Sequence, residues 1–342
     1  MNLELIGADA RVRTAIQPYE AEGLELARVC FAARELYRVF TGIGEVEGVP
    51  AGRLRFEETL PVVGDWVATR CVDPELALIE AVLPRRGKFS RRAAGKATRE
   101  QVIASNVDLA LIVMGLDRDY NLRRLERYLV LVRESGADAL VVLNKADLLD
   151  SVEAPLGQVS AMAPAVAISA TQSVDTLRQV IQGKTVALLG SSGAGKSTIV
   201  NALLEEALMP TTPVRVHDSR GKHTTTNRML LPLPGGGAII DNPGMRELQL
   251  WANDDALEQV FDEISAWARE CKFRDCSHQS EPGCAVLAAL ERGEIDPGRW
   301  TNFEKLSAEL KFRAREEDVL ERTKYKQWVK SVHRQMRNSK QQ

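Results

Sequence analysis

Gly190-Ser191-Ser192-Gly193-Ala194-Gly195-Lys196-Ser197 follows directly on the apolar run Thr185-Val186-Ala187-Leu188-Leu189 and leads into a helical pattern from Ser197 to Leu208. The stretch fits GxxxxGK[ST] in the setting that phosphate-binding loop requires, with a strand before it and a helix after it. Glycines at 190, 193 and 195 let the backbone curl so that successive N–H groups face one anion, and the helix N-terminus adds its positive end. Lys196 can reach the β- and γ-phosphates of a nucleotide, the run from Gly190 through Thr198 forms the cradle, and the Ser197 hydroxyl is a candidate Mg²⁺ ligand. The competing reading is a Gly/Ser turn that matches by accident, and the flanking strand and helix weigh against it.

Working back along the chain, Val107 to Met114 and Ala139 to Leu143 are strand patterns separated by a helical one, Asn121 to Arg133. A third short strand, Ala165 to Ile168, and a helix, Val174 to Gln182, lead to the phosphate-loop strand. Such alternation implies a mostly parallel sheet with ligands at the carboxyl ends of its strands. Asn144-Lys145-Ala146-Asp147 ends the second strand and reads NKxD. A carboxylate at Asp147 can accept both N1–H and the exocyclic N2–H₂ of guanine, donors that adenine lacks. Asn144 can tie this loop to its neighbours, and the Lys145 stem can lie over the base. Taken alone the four residues equally describe an Asx turn. With Ser169-Ala170, whose backbone can meet guanine O6, and the phosphate loop, they describe a guanine site. Here NKxD and Ser169-Ala170-Thr171 precede the phosphate loop, whereas in ordinary small GTPases NKxD comes late. The order predicts a circularly permuted GTPase domain.

Working forward, Gly221-Lys222-His223-Thr224-Thr225-Thr226 is polar and reads as a switch segment. A threonine there, Thr225 ahead of Thr224, can place its hydroxyl on Mg²⁺ and its N–H on the γ-phosphate. Strand patterns Asn227 to Leu233 and Gly237 to Ile240 end in Asp241-Asn242-Pro243-Gly244, a DxxG in which Asp241 would act on Mg²⁺ through water and the Gly244 N–H would sense the γ-phosphate. By itself, Asn-Pro-Gly also suits a simple turn. Met245 stands where many GTPases place the glutamine that orients water, and methionine has no donor for that task. Slow intrinsic hydrolysis is expected, with His223, backbone or a partner positioning the water. His223 reads equally as an exposed loop histidine.

Residues 1–27 form an N-terminal extension, read as a short helix followed by a strand beginning near Leu24. From 28 to 84, short β-like pieces broken by glycine predict a small barrel of the oligonucleotide-binding type, with a barrel that binds no nucleic acid as the alternative. Residues 85–100 are a basic linker carrying Arg85, Arg86, Lys88, Arg91, Arg92, Lys96 and Arg99, suited either to solvent or to an RNA backbone. The GTPase domain is expected over 101–250, and a zinc-binding helical domain with a basic tail over 251–342. There Cys271, Cys276, His278 and Cys284 supply three thiolates and one imidazole, a closed tetrahedral set for a structural zinc. Unrelated buried cysteines are the alternative. Helices are expected over Asp254 to Arg269, Ala285 to Arg292, Trp300 to Ala314 and Glu316 to Val332.

The chain of 342 residues is long enough for several cores, and a net charge of -2 announces no nucleic-acid binder on average. Charge is instead segregated into the linker and the tail. Five cysteines, three of them crowded together, argue for a metal in a reducing compartment rather than for disulfides. No signal peptide and no membrane-length apolar run is evident, so a cytoplasmic location is expected.

Barrel, NKAD, SAT, GSSGAGKST, GKHTTT, DNPG and CxxxxCxHxxxxxC, in this order, resemble the small ribosomal subunit biogenesis GTPases of the RsgA or YjeQ family over nearly the whole chain. The resemblance implies a multidomain α/β protein with an N-terminal OB-type β-barrel, a circularly permuted P-loop GTPase domain and a C-terminal zinc-binding helical domain. It implies GTP and GDP as ligands, Mg²⁺, one structural Zn²⁺, and late maturation of the bacterial 30S subunit with hydrolysis stimulated by that subunit. The expected partners are the 30S subunit and its 16S rRNA, with no DNA and no membrane, for a monomeric protein. Met245 fits the family's hydrophobic replacement. Two rival classes stay open: a P-loop ATPase, and an RNA-binding scaffold with a vestigial nucleotide site.

Overall fold

The computed structural model describes residues 1–33, 36–57, 59–92, 100–205, 228–241 and 254–339. The chain divides into two compact units, one of Met1–Arg91 with Gln101–Leu248 and one of Arg92–Glu100 with Gln249–Gln342.

The first unit begins with a 3₁₀ turn, Leu3–Ile6, and helix α1, Ala10–Glu20, capped by the Asp9 carboxylate, which accepts the Val12 amide at 2.9 Å. Then come β1 (Glu25–Ala33), β2 (Leu36–Phe40), β3 (Glu45–Pro50), helix α2 (Gly52–Phe56), β4 (Trp66–Asp73) and β5 (Leu76–Val82). β1 pairs antiparallel with both β2 and β4, β2 with β3, and β4 with β5, while β3 and β5 run parallel. Each strand thus has two neighbours and the five close into a barrel with the connectivity of an OB fold. Burial alternates along β3 and β5, and the inward residues Val29, Val39, Val46, Val67 and Ile79 form one core. Gly52–Phe56 is a helical turn where the sequence pattern suggested more strand. Of its five residues only Leu54 is buried, joining the barrel core, and that is not the alternation a strand provides.

The stretch read as a basic linker is partly built into the fold. Lys88–Arg92 forms β6, which pairs with β7 (Glu100–Ser105), and Phe89 and Ser90 are buried. Arg85 forks onto the fully buried carboxylate of Asp65 at 2.8 and 2.7 Å, and Arg86 pairs with Asp108 at 2.9 Å. Lys96 and Arg99 lie outside the described residues.

Next in order are β8 (Leu109–Gly115), α3 (Leu122–Ser135), β9 (Asp138–Asn144), α4 (Glu153–Ser160), β10 (Ala165–Ala167), α5 (Asp175–Ile181), β11 (Thr185–Leu189), α6 (Lys196–Leu204), β12 (Arg228–Pro232) and β13 (Ala238–Asp241). They assemble as β10-β9-β8-β11-β13-β12, parallel except for β12. β8 is buried along its whole length, the mark of a parallel strand covered on both faces. Leu177, Ile181, Ile199 and Leu203 of α5 and α6 pack on Leu111, Val142, Val186 and Ile239. The sheet does not stop at β12. Its outer edge pairs with β1, Phe31 opposite Met229 and Ala32 opposite Arg228, so barrel and nucleotide-binding sheet are continuous.

The second unit contains α7 (Asp254–Val260), α8 (Asp262–Arg269), α9 (Ala285–Glu291) and α10 (Pro297–Ser339). A single helix was expected over the first two, but the chain breaks at buried Phe261, which stacks edge-on against Phe303 at 5.5 Å. Arg299 lies 4.6 Å over the Phe261 ring, grips Glu263 and donates to the Val260 carbonyl at 2.6 Å. The two helices expected at the end are one, because neither glycine nor proline interrupts the chain after Gly298. Among the described residues, no helix is long and apolar enough to cross a membrane.

Candidate nucleotide and metal sites

β11 lies between β8 and β13, so motifs from before and after it in the chain meet at its carboxyl end. The loop that follows has Gly190, Gly193 and Gly195 at φ 139, 85 and 98°. Two of these positions admit only glycine for a second reason. A Cβ on Gly190 would overlap the Val113 carbonyl, and one on Gly195 the Asn144 amide.

Asn144, 3% exposed, is the knot of the site. Its Nδ2 donates to the Ala194 carbonyl at 3.0 Å and its Oδ1 accepts the Ala170 amide at 3.0 Å, which joins NKxD to the phosphate loop and to Ser169-Ala170. The Ala170 amide, expected to face guanine O6, is thus engaged with Asn144. Lys145 sits in the left-handed region at φ 64° and donates Nζ to the Gly193 carbonyl at 2.7 Å. Asp147, in a 3₁₀ turn after β9, is exposed and accepts the Ser169 hydroxyl at 2.5 Å. Lys196 lies on the Gly190 carbonyl at 2.8 Å and the Ser191 carbonyl at 2.5 Å. A peptide's C=O and N–H point opposite ways, so side chains that take the carbonyls of 193 and 194 leave those peptides' amides directed away from Asn144 and Lys145.

Ser197 and Thr198 stand in the first turn of α6, and Ser192 is exposed at the loop's tip. Asp241 ends β13 opposite Met229. Ser197 and Asp241 are hard oxygen donors that suit Mg²⁺. His223, Thr224, Thr225, Gly244 and Met245 lie outside the described residues.

Two carboxylates escaped the sequence reading. Asp117 and Asp119, in the loop after β8, accept Lys145 Nζ at 2.6 Å and the Ser191 hydroxyl, respectively. Their signal was position, since they follow a strand's carboxyl end directly.

In the second unit, ligand atoms of Cys271, Cys276, His278 and Cys284 all lie within 4.8 Å of one another. Cys271 and Cys284 sulfurs are 3.9 Å apart, and His278 Nδ1 is 3.5 and 3.4 Å from them. A tetrahedron with Zn–S bonds of ~2.3 Å has edges of about 3.8 Å, so the spacing fits zinc with Nδ1 as the nitrogen ligand. Cys284 also caps α9, accepting the Leu287 amide at 3.5 Å. The turn holding Cys276 and His278 is shaped by Glu281, which accepts the amides of Ser277, Gln279 and Ser280 at 2.8, 3.0 and 3.1 Å. The Ser277 hydroxyl, with the amides of Ser277 and Ser280, holds the Glu281 carboxyl well below the usual range. His278 adopts φ 58° and meets Trp300 edge-on at 6.0 Å.

Residues 82–251 match a family profile described as RsgA GTPase. The small ribosomal subunit biogenesis GTPase RsgA of Opitutus terrae is 46% identical, with 96% of this chain and 96% of that protein covered. The protein of the same name from Leptospira interrogans serovar Lai is 44% identical over 86% of this chain and 84% of its own. Among solved structures, YjeQ from Thermotoga maritima superposes with a TM-score of 0.63 at 26% identity, covering 84% of this chain and 98% of that one. YloQ, described as a circularly permuted GTPase, gives a TM-score of 0.62 at 22% identity over 85% and 96%, a likeness of fold.

Proposed function

The chain belongs to the RsgA family of circularly permuted GTPases, and from that premise we propose how its residues divide the work. It is a GTP-hydrolysing enzyme that acts in maturation of the small ribosomal subunit. The observation that carries the residue assignment is the meeting of Asn144 and Lys145 with the carbonyls of Ala194 and Gly193, which supports reading the two loops as parts of one nucleotide site.

In this reading Asp147 selects guanine, Asn144 and Lys145 fix its loop, and the amides from Gly190 to Thr198 bind the phosphates. Lys196 leaves its two carbonyls for the β- and γ-phosphate oxygens. Ser197 and Thr225 would hold Mg²⁺, with Asp241 acting on it through water, and the ion would neutralise charge on those oxygens when bound. Gly244 reports the γ-phosphate, and His223 is the candidate for orienting water in place of the residue replaced by Met245. The four ligands of the second unit hold one structural zinc. The protein works in the cytoplasm as a monomer that binds the 30S subunit through 16S rRNA, without DNA or membrane. Residues 28–84 and 251–342 flank the GTPase domain of 101–250 and supply the subunit-binding surfaces.

The test is GTP hydrolysis by purified protein alone, with 30S subunits and with 50S subunits. Low turnover alone and a large gain with 30S only is expected. Equal rates in all three would overturn subunit-dependent activity.

A further inference from the structure

β8 ends at Gly115, and the loop between it and Asn121, the cap of α3, brings two carboxylates to the phosphate-binding loop. Asp119 accepts the Ser191 hydroxyl, the Gly115 amide at 3.1 Å and the Arg124 guanidinium at 2.5 Å, and its side chain is 13% exposed. Asp117 accepts Lys145 Nζ at 2.6 Å and the Asp119 amide at 3.0 Å. Each carboxylate therefore has its own cation, and the loop adds little net negative charge beside the phosphate site. Arg124 is itself fixed in the first turn of α3, where the Asn121 side chain accepts its amide at 3.0 Å.

We propose that Asp119 is a positioning residue for nucleotide binding. It fixes the start of the phosphate-binding loop through the Ser191 hydroxyl, while Asp117 fixes the Gly193 corner through Lys145. A phosphate is held only when several loop amides point at it together, and a loop set in that arrangement beforehand spends no binding energy on ordering itself. Ser191 and Gly193 lie on either side of the exposed Ser192, so the two anchors bracket that residue of the loop. Asp119 touches no phosphate in this scheme and acts through Ser191 alone. The inference rests on the guanine-nucleotide reading of the site.

The test is a double-mutant cycle on Asp119→Ala and Ser191→Ala in the full-length protein. Affinity and dissociation rate of a fluorescent GDP analogue, KM and kcat for GTP, and the melting temperature are measured for each form. Loss of a hydrogen bond to a charged group predicts GDP affinity about tenfold weaker in either single variant, with faster dissociation. The double variant is expected to bind no worse than the weaker single one, and the rise in KM to exceed the fall in kcat. A role confined to stability would lower the melting temperature and leave GDP dissociation as in the unaltered protein, which overturns the proposal. Additive losses, about a hundredfold in the double variant, also overturn it. If Asp119→Ala does not fold, Ser191→Ala decides alone, because it removes one hydroxyl from a partly exposed position, and unchanged GDP dissociation there overturns the proposal. Failure of the unaltered protein to bind GDP would instead sink the guanine-nucleotide reading, an outcome separate from any result of the cycle.

Discussion

Asn144 reaches across to the Ala194 carbonyl with a 3.0 Å hydrogen bond, tying the residue that begins NKxD to the middle of the phosphate loop. Because the same side chain accepts the Ala170 amide, its removal strands two buried polar groups. Asn144→Ala is expected to cost about 2–4 kcal/mol of stability, two unsatisfied groups at roughly 1–2 kcal/mol each. Urea unfolding of the nucleotide-free protein checks this. A loss below about 0.5 kcal/mol would mean that water replaces the asparagine.

Asp147 supplies the base preference by a different route, as a pure acceptor. Asp147→Asn exchanges one acceptor for a donor, which no longer matches guanine N1–H and N2–H₂ but does match the oxygen at C2 of xanthine. Competition binding is expected to show GTP weakened about a hundredfold, with the xanthine nucleotide preferred, from two charge-assisted bonds at roughly 1.5 kcal/mol each. Retained preference for GTP over ATP in this variant would contradict the assignment.

The Asp117–Lys145 pair carries a pH signature. Burial works against ionisation of Asp117, but the bonds from Lys145 and the Asp119 amide outweigh it and hold the carboxyl below its ordinary value. A depressed carboxylate stabilises the fold fully above the unfolded pKa of about 3.9 and loses that contribution as pH falls through the folded value. With Asp117 33% exposed, the contribution at neutral pH is no more than about 1 kcal/mol. The stability gap between the unaltered protein and Asp117→Asn should therefore close as pH drops below 4 in equilibrium unfolding. A gap independent of pH would contradict the pairing.

Arg28, 1% exposed, donates to the carbonyls of Ile6, Gly64 at 3.4 Å and Asn106 at 3.3 Å, and lies 4.8 Å over Trp66. Burial lowers its pKa to about 10 against the pull of Asp108 and Asp65, so it stays charged at neutral pH. Arg28→Ala should cost roughly 3–5 kcal/mol and free the segment before β1. Limited proteolysis reads this as new cleavage ahead of Glu25. An unchanged digest would show the extension held by Leu3, Ile6 and Ile16 alone.

For the metal centre, zinc should be released in equimolar amount by thiol-reactive titration. Cys284→Ser is expected to lose it and to destabilise α9, seen as reduced helical signal. Full metal retention in that variant would remove Cys284 from the ligand set.

Much of this site was legible because its chemistry is local: the glycines of 190–195, the NKxD run and the Cys/His spacing each occupy a few consecutive residues. The barrel was legible from glycine-broken strand patterns. What the residues did not disclose depends on partners far away in the chain. Arg85 and Arg86 read as free basic charge until Asp65 and Asp108 are known to face them. In the first 27 residues a short helix and the start of a strand were legible, and their fastening was not, because Arg28 reaches back to the Ile6 carbonyl. Asp119 carries no motif, and only the sheet order puts it beside Ser191.

The pairing of β1 with β12 also dictates an order of events during synthesis. The barrel can close its five strands as soon as β5 leaves the ribosome, but the edge of β1 that receives Met229 waits until β12 has been made. Throughout that interval the nascent chain presents an unpaired strand edge, the feature most open to wrong partners. β11, flanked by β8 and by the later β13, likewise has only one neighbour until translation is nearly through the domain. A protein that serves ribosome assembly thus cannot complete its own nucleotide-binding sheet until most of its chain has been translated.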